Sequence, residues 1–353
     1  MKGLLIVTKG GEEVAKQELK ELLNLDGKIV KEAVEFSFEN FESIFKLAYF
    51  SQSAQRILVL DDLSNWLKEG TTFRVRCEDK DNEGELGAQV NKDDKFKVDL
   101  NNPQVPLFQH NEYLGIDFTG ELSKRNFRVF THRQSLKGTT AFILLKEAGF
   151  TGKEILLDPF AKDGTVVLEA VHYSIKKPVK YFEREIFPFL KFEKFNDFNS
   201  LSSLEKKMTD ENMFWKENAF DFEEFFESFK EEKCKSKIYG VSGDLRDISA
   251  LKKNGKIAGL TDFSVSKLAV DWLDTKFKEN ELDLVVSYPP KLSLKLLKQL
   301  YHQLSYIAKK VILLVEKDFN YEDNNLKIEK EKVIFVGKVE KKIIFLKRTN
   351  VDK

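Results

Sequence analysis

The chain has 353 residues, 42% of them hydrophobic, enough to fill more than one core. Its 58 Lys and Arg are matched by 58 Asp and Glu, which excludes a globally basic nucleic-acid binder but leaves room for a local basic face. Cys77 and Cys234 lie far apart without metal-ligand spacing, so neither a disulfide framework nor a zinc site is expected and no metal is assigned. The apolar run from Leu4 to Val7 is too short for a signal peptide or a membrane span. The expectation is a soluble, cytoplasmic protein.

In chain order, Leu4 to Val7 predicts a strand, Gly10-Gly11 a turn, and Glu12 to Leu23 a helix with Val14, Leu19, Leu22 and Leu23 on one stripe. Val30 to Phe38 alternates as a strand, Phe41 to Tyr49 is amphipathic, and Arg56 to Leu60 is a further strand. These pieces suit a β-α-β-β-α-β ferredoxin-like order. Thr71 to Cys77 alternates at period two, as a half-buried strand does. Ala141 to Ala148 predicts a helix closed by Gly149. The stretch from Ile155 to Ala170 then organises the rest: an apolar run ends in Asp158-Pro159, a loop carries Gly164 and Thr165, and an apolar-periodic helix follows to about Tyr173. Strand, loop and helix in that order open a doubly wound α/β sheet, in which ligands lie beyond the carboxyl ends of the strands. Residues 176–237 are crowded with Lys, Glu and Phe; the Phe stripe from 220 to 229 has helical spacing and predicts packing rather than a binding platform. Ile238 to Asp247, Leu282 to Ser287 and Val311 to Val315 supply further strands, Leu294 to Ala308 a helix, and Val333 to Gly337 with Lys342 to Leu346 a closing hairpin.

Asp158-Pro159-Phe160-Ala161-Lys162-Asp163-Gly164-Thr165 resembles the Asp-Pro-Phe-Cys-Gly-Ser-Gly-Thr signature of THUMP-containing RNA methyltransferases of the guanine-N2 type. Other words agree along nearly the whole chain. Gly10 to Glu13, Ala15 to Leu19 and Ser53 to Leu58 are similar to that family's N-terminal module. Glu85 to Ala88 and Lys97 to Pro103 resemble a shortened THUMP domain, Leu114 to Phe130 resembles the junction to the catalytic domain, and Tyr288-Pro289-Pro290-Lys291 resembles Asn-Pro-Pro-Tyr. The resemblance implies a ferredoxin-like domain (1–60), a THUMP domain (61–118), a basic linker (119–140) and a Rossmann-like class I methyltransferase domain (141–353) with an insertion at 176–237.

It also implies a site. Asp158, Phe160, Gly164, Thr165, Thr139 and Asp244 would hold S-adenosylmethionine, if the site is functional, and Tyr288, Pro289 and Pro290 stand at the catalytic motif. Lys124, Arg125, Arg128, His132, Arg133 and Lys137, interleaved with Phe127 and Phe130, would contact structured RNA, with tRNA the class implied. The departures fall at the chemistry. Lys162 replaces a loop glycine, Ser242 stands where the ribose-binding acid belongs with Asp244 two positions on, and Lys267 to Val270 lacks the adenine-binding acid although Asp271 is near. Tyr288 replaces the acceptor that aligns the target nitrogen, and Lys291 replaces the stacking aromatic. Four departures on a kept scaffold favour an RNA-binding protein with a degenerate methyltransferase site. Two rivals stay open: an active S-adenosylmethionine-dependent guanine-N2 methyltransferase, and a structural subunit with a protein partner in an RNA-modification complex.

Overall fold

The computed structural model describes residues 1–182, 187–192 and 231–349. The chain divides into two compact units. The first comprises Met1–Val7, Lys16–Leu122 and 187–192, and the second Thr8–Ala15, Ser123–Phe182 and 231–349. Among the described residues no helix is long and apolar enough to cross a membrane.

The first unit begins with β1 (Lys2–Val7), α1 (Glu12–Leu23), β2 (Gly27–Val30), β3 (Ala33–Ser37), α2 (Phe41–Phe50) and β4 (Ala54–Leu60). The antiparallel order β2-β3-β1-β4 is the ferredoxin-like arrangement expected from the element order. The strand expected over Val30 to Phe38 is instead the turn and second arm of a hairpin. Glu32 at the turn takes a left-handed φ of 56°, which reverses the chain between Val30 and Ala33. Asn40 caps α2 by accepting from Ser43 N at 3.3 Å. At the far end of α2 the buried Glu18 carboxylate of α1 takes hydrogen bonds from Ser51 Oγ and Gln52 N, both at 2.7 Å, and from the amide and hydroxyl of Ser53. That one side chain satisfies the donors of the α2–β4 corner, and burial pushes its pKa up.

Then β5 (Thr72–Cys77), α3 (Glu83–Val90), β6 (Lys97–Val98), β7 (Val105–His110) and β8 (Tyr113–Asp117) extend the same sheet to eight strands, in the order β2-β3-β1-β4-β8-β7-β5-β6. The helix-side core of this unit is aromatic. Phe41 stacks on Phe118 with ring centres 5.6 Å apart, and the segment 187–192 completes the cluster. Phe189 packs on Phe45 at 4.6 Å, Phe187 on Tyr49 at 4.9 Å and Phe192 on Trp66 at 5.4 Å. Part of the Phe-rich insertion therefore builds the core of the N-terminal unit. The expected Phe stripe from 220 to 229 lies outside the described residues.

The second unit contains α4 (Gly138–Glu147), β9 (Ile155–Asp158), α5 (Thr165–Ile175), β10 (Lys237–Ser242), α6 (Leu245–Ile257), β11 (Ser264–Lys267), β12 (Leu282–Ser287), α7 (Leu294–Ile307), β13 (Ala308–Glu316), β14 (Leu326–Val336) and β15 (Val339–Arg348). The sheet runs β11-β10-β9-β12-β13-β15-β14, parallel except for β15, which pairs antiparallel with both neighbours. This is the Rossmann-like layout expected, with longer hairpin arms than the sequence pattern predicted. Strand order reverses at β9, whose Leu156 and Leu157 are fully buried, so the crevice beyond Asp158 is the topological switch point where ligands bind in such sheets.

Phe189→Ala should lower the stability of the N-terminal unit by about 3–5 kcal/mol, because a fully buried ring is lost from a packed aromatic cluster. Urea unfolding followed by the fluorescence of Trp66 measures it, and an unchanged midpoint would contradict the packing described.

Candidate active site and basic linker

The loop after β9 is shaped by two left-handed residues. Gly164, at φ 89°, caps α5, and a Cβ there would fall 2.0 Å from Leu251 Cδ1, so only glycine fits. Lys162 is also left-handed, at φ 50°. The backbone keeps a glycine-like conformation although the residue is lysine, at a cost of about 1–2 kcal/mol. Its side chain turns inward. Nζ donates to Tyr288 O at 2.7 Å and Gln134 O at 2.9 Å, and lies 4.2 Å from the centre of the Tyr288 ring. Burial pushes the Lys162 pKa down to about 8, against the pull of the Asp158 carboxylate. Asp158 is itself buried, accepts from Ser287 Oγ at 2.5 Å and Phe160 N at 3.0 Å, and is pushed up to about 6 by burial.

Asp158, Phe160, Lys162, Thr165 and Tyr288 line one recess with Gln134 and Ser135. Two buried hydroxyls nearby in the chain, Ser135 Oγ and Thr139 Oγ1, have no hydrogen-bond partner among the described residues. Thr139 itself, Gly164, Pro289, Pro290 and Asp244 are not among the lining residues. Asp244 caps α6, accepting from Arg246 N at 2.8 Å, and pairs with the Arg246 guanidinium at 2.6 Å, which holds its carboxyl down to about 2. Ser242, at the end of β10, donates instead to Asp247 at 2.7 Å. Lys341 also approaches Tyr288: its ammonium lies 5.1 Å from the ring centre and pairs with Glu316 at 2.5 Å. Sequence reasoning did not find Lys341, which sits in β15 and carries no local signal.

The linker divides. Arg125 corrects its assignment to RNA: it is buried and pairs bidentately with the equally buried Glu169, Nε to Oε1 at 2.7 Å and Nη2 to Oε2 at 3.1 Å. Gly138 is the floor of that pair, since a Cβ there would stand 2.4 Å from Glu169 Oε1. Arg128 is half-buried and bonds Asp163 Oδ2 at 2.8 Å. Asn254 binds the same loop, donating to Asp163 O and Phe130 O and accepting from Phe130 N, each at 3.0 Å. Lys124, His132, Arg133 and Lys137 are exposed.

A family profile described as "UPF0020: RMKL-like, methyltransferase domain" matches residues 125–314, a little over half the chain. The chain belongs to this family. A tRNA (guanine(6)-N2)-methyltransferase of Methanocaldococcus jannaschii is 23% identical over 399 residues, an alignment covering 98% of this chain and 97% of the relative. The crystal structure of TrmN from Thermus thermophilus superposes with a TM-score of 0.65 at 18% identity, over 98% of this chain and 99% of that one. SMU.472, solved in complex with SAH, gives a TM-score of 0.67 at 18% identity over 98% and 97% of the two chains. These structural likenesses establish the shared Rossmann-like fold.

Two expected outcomes test the site as described. Arg125→Met should cost about 3–5 kcal/mol by leaving Glu169 charged and buried, whereas Arg125→Met with Glu169→Leu should recover most of that loss in urea unfolding. The Lys162 pKa is lower in the folded chain (about 8) than its ordinary value of 10.5. Its contribution to stability is therefore present above pH 10.5 and lost as pH falls through 8. Measured against Lys162→Met, the wild-type chain should gain up to about 3 kcal/mol as pH rises between those limits.

Proposed function

We propose that this chain is an RNA-binding member of the family, with tRNA the expected RNA, whose degenerate methyltransferase site does not accept S-adenosylmethionine. The observation that carries this is the Lys162 ammonium, which fills the crevice beyond β9 and bonds both Gln134 O and Tyr288 O. Its side chain lies across the recess lined by Asp158, Phe160, Thr165 and Tyr288, where a ligand beyond the end of β9 would have to enter. Asp244 is committed to capping α6 and to Arg246, and Tyr288 is held against Lys162. RNA as the ligand is supported by the name of the M. jannaschii relative and by the exposed Lys124, His132, Arg133 and Lys137 of the linker. In this proposal the THUMP-like segment of the N-terminal unit adds to the RNA surface, and the site lies in a protein of the cytoplasm.

One observation favours the rival, an active guanine-N2 methyltransferase. Among the described residues Ser135 Oγ and Thr139 Oγ1 are buried without partners beside a loop that keeps left-handed Gly164 at the α5 N-terminus, an arrangement that suits a polar ligand once Lys162 swings away.

Calorimetric titration of S-adenosylmethionine and SAH into the wild-type chain and Lys162→Gly decides between them. The expected result is no heat for the wild type up to millimolar ligand, binding at least tenfold tighter by Lys162→Gly, and a wild-type chain that still shifts unmodified tRNA on a gel. Glycine accepts the φ of 50° without strain, so the variant opens the crevice and leaves the loop in place. Micromolar binding by the wild type would overturn the proposal in favour of the active enzyme. A chain that shifts no tRNA would overturn it in favour of a structural subunit with a protein partner.

A further inference from the structure

Between Ser123 and Lys137 the chain runs without a helix or strand. Connections of that length without secondary structure are uncommon, and are either functional or disordered. This one is held at every second residue. Arg128 Nη2 donates to Asp163 Oδ2 at 2.8 Å. Phe130 exchanges two hydrogen bonds with the Asn254 side chain, each at 3.0 Å. His132 N donates to Asp163 Oδ2 at 3.4 Å, and Gln134 O accepts from Lys162 Nζ at 2.9 Å. The three residues that supply these contacts are buried, and all of them belong to the second unit with the segment they hold.

The clamp is built from the loop after β9, at the crevice where ligands bind in such sheets. Lys162 and Asp163 stand at two of the positions where that loop departs from the signature it resembles. Asp163 commits Oδ1 to Thr165 at 2.8 Å and Oδ2 to the linker, while Asn254 also donates to Asp163 O at 3.0 Å. The clamp is therefore braced from α5 and α6. Outward it leaves cations among apolar and aromatic groups: Val129, Phe130, His132, Arg133 and Lys137 are exposed, and the Lys253 ammonium lies 4.6 Å from the Phe130 ring centre. A segment that is ordered before it meets a partner loses less conformational entropy on binding.

We propose that Lys162 is a positioning residue: with Asp163 and Asn254 it makes the loop after β9 a clamp that pre-orders residues 128–137 for RNA. This rests on the RNA-binding function proposed above. The gain comes from order and not from contact, since Lys162 is itself only 7% exposed. The test joins two readouts on the full chain, for the wild type, Lys162→Met and Lys162→Gly. One is amide hydrogen exchange over 128–137, and the other is binding of a labelled, unmodified tRNA transcript over a salt series. Both variants should exchange faster across 128–137 with α5 unchanged, and should bind tRNA about three- to tenfold more weakly. The salt slope should match the wild type, because the bound state keeps its phosphate contacts and only the ordering cost moves to the binding step. Lys162→Gly is the readout if the methionine variant does not fold, since glycine accepts the φ of 50°. A folded variant that binds tRNA as the wild type does, whatever its exchange, would overturn the positioning role and leave the RNA-binding function intact. A slope lower by about one would make Lys162 itself a phosphate contact, and tighter binding would make the clamp a restraint that RNA must break; either result overturns the proposal. Wild-type protein without tRNA affinity would overturn the RNA-binding function and this inference together.

Discussion

A buried ammonium must find acceptors, and in this chain that requirement ties together the loops of the candidate site. Lys162 has two carbonyls and an aromatic face within reach because Gln134 and Tyr288 are held where it needs them. The loop after β9, the linker before α4 and the loop after β12 are thereby fastened to one nitrogen atom. Desolvation sets the geometry: an amine less well placed would lose its proton or return to solvent. The same logic explains the buried Arg125–Glu169 pair beneath α4, where two charges out of water hold each other through two parallel hydrogen bonds.

Much of the fold was legible because hydrophobic periodicity reports which face is covered. The β9–loop–α5 unit, the ferredoxin-like order and six strands of the second sheet follow from patterns of that kind, while the Rossmann-like layout came from the family resemblance and β11 carried no such signal. The hairpin between Val30 and Ala33 was not visible, since no glycine or proline marks a turn made by Lys31 and Glu32. Asn254 carries no local signal of its task. Its role as a clamp on Phe130 and Asp163 depends on partners 124 and 91 positions away, which no local pattern encodes.

The candidate site was half legible for a related reason. Residue type shows which chemistry is available, but burial decides whether it faces a ligand. Lys124 and Arg125 are neighbours with the same charge, yet one is exposed and the other is sealed against Glu169. Asp244 has the group a ribose needs and spends it on a helix end and on Arg246. Lys162 was recognised as an intruder at a glycine position; which way it points was settled only by three-dimensional packing.

The aromatic core of the N-terminal unit has a consequence for how the chain is made. Phe187, Phe189 and Phe192 pack among Tyr49, Phe45 and Trp66 but are synthesised only after β9 and α5. A domain whose core is contiguous in sequence can close as soon as it leaves the ribosome. Here the N-terminal sheet emerges first and waits, its aromatic face uncovered, until the first strand–helix unit of the second sheet has followed it out. Order of synthesis and order of completion are therefore reversed for part of the molecule.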